Sequence, residues 1–184
     1  MTKQSQHLLY SLFATSILLL ACIIMRPAGL AANDGLSYYG SVWVTLIPFT
    51  AALLVYMNAL WVFAASLGNT RDDKRLATAF RIMAFFVITV IITPISIMED
   101  FHSLLGLFLF IIQFAVSIKI LRLKFSRLDV GLVVIEAAAF AAGLYYANFN
   151  DGLLLQCQVI FQLAFWIQFI RYLIFLQTPR KRAR

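Results

Sequence analysis

Polar and ionisable side chains gather in the short links between long apolar runs of this sequence. If the links that carry them converge, six residues would form one polar rim: Arg26, Asp34, Ser37, Glu99, Asp100 and His102. A guanidinium, three carboxylates, a hydroxyl and an imidazole can bind a polar ligand by hydrogen bonds and ion pairs. The alternative is an ordinary hydrated loop surface, anchored at the membrane interface by Tyr38, Tyr39 and Trp43.

Catalytic chemistry finds little support in these residue types and spacings. A catalytic zinc site commonly uses two or three histidines, but His7 is expected on the opposite face from His102. Haem held between two histidines is excluded for the same reason. Ser37, His102 and Asp34 could be written as a nucleophile, base and acid, yet no spacing supports this and Gly-x-Ser-x-Gly is absent. We therefore predict no catalytic residue, no metal and no cofactor.

The two cysteines, Cys22 and Cys157, do not form a Cys-x-x-Cys motif, so the sequence lacks the usual metal and redox signatures. Both should lie toward the outer ends of their helices. A disulfide between them is geometrically conceivable, and two separate buried thiols are the favoured interpretation.

One acidic residue, Glu136, falls inside an apolar run. It lies seven residues beyond Asp129, which corresponds to roughly 10 Å of helix from the inner boundary. An ionisable residue at that depth is a candidate functional site by default. Its expected partners are Arg81, Lys119 and Arg171. Such a pair would fix helix packing, whereas a proton or cation site is the functional alternative.

Amide side chains also occur inside the apolar runs. Gln158 and Gln162 are four residues apart and share one face of the last run, while Gln113 lies in the fourth. Amides in lipid normally form hydrogen bonds between helices. The alternative is that the same residues line a cavity for a polar ligand.

The elements that must position these residues are transmembrane helices. The 184-residue chain is 62% hydrophobic and 12% charged, far from the balance of a soluble domain. Six apolar runs are long enough to cross a bilayer, and backbone groups in lipid must be satisfied within the segment. These runs span residues 8–25, 41–66, 76–98, 103–121, 130–146 and 153–177. We predict an all-α, polytopic transmembrane bundle of about six helices forming a single integral membrane domain, residues 1–184.

The basic residues predict the orientation of this bundle. The net charge of +7 could indicate nucleic acid, but its distribution favours cytoplasmic loops. With the N-terminus in the cytoplasm, every basic residue except Arg26 falls on that side. Both termini are then cytoplasmic, most simply in a bacterial cytoplasmic membrane. The first run could be a signal peptide, but it is long for one.

Lipid and protein partners are also suggested. The basic tail at residues 178–184 is expected to attract anionic lipid. Small residues four apart, such as Ala137 with Ala141, let helices approach closely. They favour packing within the bundle and leave open a homo-oligomer or another protein partner. No nucleic-acid partner is predicted.

The overall plan resembles the uncharacterised bacterial six-helix membrane proteins related to the DRAM/Frag-type family. The residues that carry this resemblance are Asn33, Asp34, Ser37 and Gly40 after the first run, then His102, Gly106, Phe108 and Phe110 in the fourth. The resemblance implies a six-helix bundle and no established activity. More distant ceramidase-like membrane hydrolases carry a multi-histidine metal site, and this sequence departs from that pattern, which puts hydrolysis in doubt.

The first functional hypothesis is therefore non-enzymatic binding of a lipid, small ligand or partner through an outward-facing polar rim. A small transporter or transporter subunit, using Glu136 and the amides of the last run, is the second. A membrane enzyme that hydrolyses lipid at the outer face is the third.

Overall fold

The computed structural model describes residues 3–68, 70–93, 95–149 and 152–177, and this part of the chain is helical, without strands. Seven α-helices follow one another: α1 Lys3–Met25, α2 Tyr38–Ser41, α3 Trp43–Ser66, α4 Arg71–Ile92, α5 Ile95–Leu123, α6 Arg127–Phe149 and α7 Leu154–Gln177. Two 3-10 turns, Pro27–Ala31 and Gly35–Ser37, join α1 to α2. Six of the helices are long and apolar enough to cross a membrane. The predicted all-α bundle with six spans is confirmed.

The span boundaries differ from the predicted runs where capping and helix breaks override hydropathy. The third span was expected to begin at residue 76, but α4 begins at Arg71. The hydroxyl of Thr70 accepts from the Asp73 amide, and the Asp73 carboxylate accepts from the Thr70 amide. This capping box satisfies the first amides of the helix, so α4 includes its charged first turn. The helix α5 is interrupted at Met98, where φ is −134° and ψ is 49°.

Short connections make neighbouring helices antiparallel, so the bundle has two distinct ends. We call the end where α1 finishes and α7 begins the loop end, because the segment 26–42 lies there. The opposite end, where α4 and α6 begin and α5 finishes, is the basic end, with Arg71, Lys74 and Arg75 on α4. The predicted tail at residues 178–184 lies outside the described residues.

An aromatic cluster packs three helices together in the half of the bundle nearer the basic end. Phe63 of α3 contacts Phe80 of α4 and Phe169 of α7, with ring centroids 4.7 and 4.4 Å apart. Phe80 and Phe169 are stacked at 4.9 Å. Each ring is buried, and aromatic contacts of this geometry add to the energy of burial. The three rings belong to a larger cluster of buried apolar side chains.

The segment between α1 and α3 packs back onto the helices instead of extending into solvent. Tyr39 is fully buried and clusters with Cys22 and Leu155. Burial raises the pKa of the Tyr39 phenol above its usual value, so this ring is a neutral packing group at ordinary pH. The packed segment covers the loop end, where the predicted polar rim lies.

Candidate functional site

A central cavity of about 920 Å³ occupies the half of the bundle nearer the loop end. Its volume is at the upper end of the range for small-molecule sites. All six long helices contribute to its walls, represented in chain order by Thr15, Tyr56, Val87, His102, Phe140 and Gln162. The lining also includes exposed apolar side chains, among them Leu20, Leu104 and Leu163, so the cavity extends from the interior of the bundle to its outer apolar surface.

The cavity has apolar walls and an acidic mouth. Most of the lining side chains are aliphatic or aromatic. The mouth is formed by four exposed polar residues: Asn33, Asp34, Glu99 and Asp100. Among the described residues no lysine or arginine lines the cavity. An apolar interior beneath three carboxylates suits a molecule with a hydrocarbon part and a cationic or neutral polar head.

Five of the six residues predicted for the polar rim come together in this cavity: Asp34, Ser37, Glu99, Asp100 and His102. The sixth, Arg26, is exposed, lies outside the cavity lining and forms no ion pair with a described carboxylate. Arg26 instead precedes the 3-10 turn that begins at Pro27.

The closest polar contact in the rim joins Ser37 and His102. The Ser37 Oγ lies 2.7 Å from His102 Nε2, and His102 Nδ1 lies 2.5 Å from the backbone oxygen of Thr93. His102 is only 6% exposed. Thr93 is the C-cap residue that follows Ile92 of α4, and a carbonyl at a helix C-terminus lacks an intrahelical donor. Its oxygen is therefore available to the imidazole.

This arrangement determines where the imidazole proton lies. A carbonyl oxygen can only accept a hydrogen bond, so Nδ1 of His102 must donate to Thr93. In the neutral ring Nε2 then carries no proton and accepts from the Ser37 hydroxyl. In the sequence, Ser37, His102 and Asp34 could be read as a nucleophile, a base and an acid. In the structure, the group on His102 Nδ1 is the Thr93 carbonyl and not the Asp34 carboxylate. Sequence spacing gave no signal for a main-chain carbonyl at the end of α4.

Two side-chain amides of α7 hold the segment 26–42 over the cavity, and we call this segment the covering segment. The Leu36 amide donates to Gln158 Oε1 at 2.7 Å, and Gln156 Nε2 donates to the Leu30 carbonyl at 2.8 Å. Gln158 also lines the cavity. The position of Ser37, next to Leu36, therefore depends on a side chain of the last helix.

Hydrogen-bonded amides lie at the deep end of the cavity. Gln162 Nε2 donates to Gln113 Oε1 at 2.8 Å, and Gln113 Nε2 donates to the Tyr56 hydroxyl at 2.7 Å. Gln113 is fully buried, while Tyr56 and Gln162 line the cavity. As expected of amides in lipid, they connect three helices, α3, α5 and α7. They also supply polar groups in an otherwise apolar wall.

Glu136 does not lie in the central cavity. It is fully buried in α6, and neither carboxylate oxygen has a hydrogen-bond partner among the described residues. The hydroxyl of Ser117 and the Oε1 of Gln168 are also buried without a partner there. Gln168 Nε2 donates to the Ser117 carbonyl at 3.1 Å, so these two residues meet between α5 and α7.

The cations expected to pair with Glu136 contact other carboxylates. Arg171 Nε donates to Asp129 Oδ1 at 2.8 Å, and Lys119 Nζ lies 2.5 Å from Asp72 Oδ1. Arg81 is exposed on α4. The expected bridge to Glu136 is thus absent among these residues, because the aspartates at the starts of α4 and α6 lie nearer to the two cations. Asp129 was not predicted as a partner of Arg171, although Ser-x-x-Asp before an apolar run is a helix-start signal.

No metal centre is apparent in the described part of the chain. It contains no group of three histidine, cysteine, aspartate or glutamate side chains placed to hold a metal ion. Cys22 and Cys157 are both buried and both free thiols. Asn150 and Asp151, which the sequence places on the same side as the rim, lie outside the described residues.

Comparison with known proteins does not place this chain in a family. No family model matches the sequence, and neither a curated protein nor a solved structure is significantly similar to it. The resemblance to the DRAM/Frag-type family therefore stays a prediction. Functional inference rests on the central cavity and the side chains around it.

Proposed function

We propose that this protein binds an amphiphilic lipid or lipid-like molecule in the central cavity, with the polar head at the mouth. The observation that carries the proposal is a cavity of about 920 Å³, walled by all six long helices and opening among carboxylates. Buried apolar walls with a few convergent polar groups are typical of ligand sites. The head should be cationic or neutral, because Asp34, Glu99 and Asp100 would repel an anionic one.

The orientation of the site follows from the positive-inside rule. The described basic residues concentrate at the basic end of the bundle, and Arg26 is the exception at the loop end. The mouth of the cavity would then face outward, with both termini in the cytoplasm. A ligand could enter from the external leaflet or from the external solution. A bacterial cytoplasmic membrane is the proposed location.

Native mass spectrometry of the protein released from mild detergent provides the first test. A discrete bound mass supports the proposal, and bare protein with only exchangeable bulk lipid contradicts it. Added dodecyltrimethylammonium should compete with the bound molecule at lower concentration than dodecyl phosphate. Equal competition by the two would contradict the assignment of the head group.

A matched pair of glycine variants tests whether the ligand occupies the central cavity. Gly106 lines the cavity, and a Cβ atom there would meet no other atom within 4 Å. Gly131 of α6 has equally open surroundings but does not line the cavity. Gly106→Leu should therefore reduce binding by filling the site, and Gly131→Leu should not. Equal binding by both variants would place the ligand elsewhere.

Transport is the second candidate function, supported by the fully buried carboxyl of Glu136, which forms no ion pair with a described basic residue. Ionisable residues inside membrane spans often mark proton or ion paths. Glu136→Gln should abolish uptake of the ligand into vesicles without reducing binding in the central cavity, because Glu136 does not line it. Unchanged uptake in this variant would exclude a transport role for Glu136.

A further inference from the structure

We infer that Ser37 and His102 form a nucleophile–base pair that cleaves an acyl ester of the amphiphile in the central cavity. The inference rests on the proposed function, since the cavity must hold the acyl chain. It adds a reaction to a site otherwise described as binding alone. The first observation is the 2.7 Å contact between Ser37 Oγ and His102 Nε2.

The second observation is that the imidazole is held in the form that a general base requires. Its Nδ1 donates to the Thr93 carbonyl at 2.5 Å, which leaves Nε2 free to accept the proton of Ser37. In serine hydrolases an acid usually performs this positioning role. A main-chain carbonyl can hold the same tautomer, and its dipole faces the charge that forms on the ring. Thr93 is accordingly a positioning residue.

The third observation is the location of the pair. Ser37 and His102 both line the cavity, close in sequence to the exposed mouth residues Asp34 and Asp100. A hydrocarbon chain in the apolar interior with its head at the mouth would present a linking ester near this level. Asn33 and Ser103 also line the cavity and carry neutral hydrogen-bond donors. The substrate class is therefore a long-chain ester with a neutral or cationic head.

The reaction balances with water as the only co-reactant. Ser37 Oγ attacks the ester carbon while its proton passes to His102 Nε2, and the resulting imidazolium protonates the alcohol as its bond to carbon breaks. Water then attacks the acyl-serine and gives a proton to Nε2. The bond to Oγ breaks, the proton returns to Ser37, and the fatty acid leaves. Nδ1 keeps its proton on the Thr93 carbonyl throughout.

Covalent labelling tests this assignment in the full-length protein in nanodiscs. A dodecyl fluorophosphonate should form one Ser37–phosphorus bond per chain with loss of fluoride, located by peptide mass spectrometry. His102→Gln should slow this labelling by about 100-fold or more, because it removes the base. Ser41 serves as control, since its hydroxyl donates to the Tyr38 carbonyl and the residue does not line the cavity. Ser41→Ala should be labelled like the parent protein.

Two further measurements distinguish a catalytic role of Ser37 from a structural role. In Ser37→Cys, iodoacetamide should react with the new thiol much faster than with the thiol of Ser41→Cys, because only the former faces an imidazole. With p-nitrophenyl octanoate, the parent protein should release a burst of one equivalent of p-nitrophenol per chain. Ser37→Ala should show no burst while its thermal midpoint stays within a few degrees of the parent.

The outcomes distinguish this inference from the proposed binding function. Noncovalent amphiphile bound in the cavity, with no adduct on Ser37 and no burst, would overturn the catalytic inference and leave the binding function standing. An adduct that forms equally in denatured protein would also overturn it. Absence of both bound amphiphile and adduct would contradict both proposals. Labelling of Ser37 that depends on His102 in the folded protein supports the inference.

Discussion

The backbone amide of Leu36 donates to the side-chain oxygen of Gln158 at 2.7 Å, although 122 positions separate these residues. This bond ties the covering segment to α7 at the entrance of the central cavity. It is possible because Gly35, immediately before Leu36, adopts a left-handed conformation with φ of 57°. A Cβ atom at Gly35 would overlap the Gln158 side chain.

Substitution of Gly35 should therefore loosen the covering segment. Gly35→Ala should destabilise the protein by about 1–3 kcal/mol, because alanine is strained at this φ and its methyl group displaces Gln158. Thermal unfolding in detergent measures the loss. Gly131→Ala is the control, since its methyl group enters open space within a helix and should be neutral or slightly stabilising. Equal midpoints for the two variants would contradict the role given to Gly35.

The amide pair at the deep end of the cavity predicts non-additive variants. Gln113→Leu should cost about 1–2 kcal/mol, because it leaves the Tyr56 hydroxyl and the Gln162 amide without their partner. Gln162→Leu should have a smaller effect, since Gln113 would keep its bond to Tyr56. The double variant should lose less stability than the sum of the two. Additive losses of unfolding free energy would show that the amides do not interact.

The two ion pairs near the basic end should differ in their contribution to stability. Asp129 is 1% exposed in its side chain, so Arg171→Gln leaves a buried carboxylate whose remaining hydrogen bond among the described residues is the one from the Ser126 hydroxyl. A loss of up to about 3–5 kcal/mol is expected from such an unpaired buried charge. Lys119→Gln should cost much less stability, because Lys119 and Asp72 are 30% and 44% exposed and solvent weakens such a pair. Thermal unfolding of both variants provides the measurement, and a larger loss for Lys119→Gln would reverse this ranking.

The proposed orientation has a direct test in cells. A reporter that is active only in the cytoplasm, fused after Arg184, should be active because the basic residues favour that side. A cysteine introduced at Asn33, an exposed residue of the cavity mouth, should react with a membrane-impermeant maleimide in intact cells. Labelling at Asn33 only after cell lysis, together with an inactive reporter, would show that the orientation is the opposite one, with the mouth facing the cytoplasm.

The six spans could be predicted from the sequence because the signal is local. A bilayer requires long apolar helices, and such runs are visible in a sequence without knowledge of their neighbours. The predicted ends of the spans were less accurate where a helix cap or a helix break lies near them. The capping box at Thr70 extends α4 into a charged turn, and the break at Met98 separates two parts of α5. Hydropathy alone reports neither feature.

The residue types of the polar rim could also be predicted from the sequence, because each short link between spans must lie at one of the two membrane surfaces. Which of those residues meet was decided by the tertiary structure. Ser37 and His102 come together because Gln158 holds the covering segment over α5, and the imidazole is oriented by a main-chain carbonyl that every residue possesses. Arg26 lies outside the cavity lining, although Asn33 and Asp34 of the same segment are part of it.

The sequence by itself determined the number of spans, the fold class and the residue types available at each end, because the membrane acts on each segment independently. Only the tertiary structure decided that Phe63, Phe80 and Phe169 pack together in the half nearer the basic end, while the other half contains a cavity. It also decided that Arg171 pairs with Asp129 and that Glu136 is buried without it. Packing and pairing depend on distances between helices, and those distances follow from all six spans together.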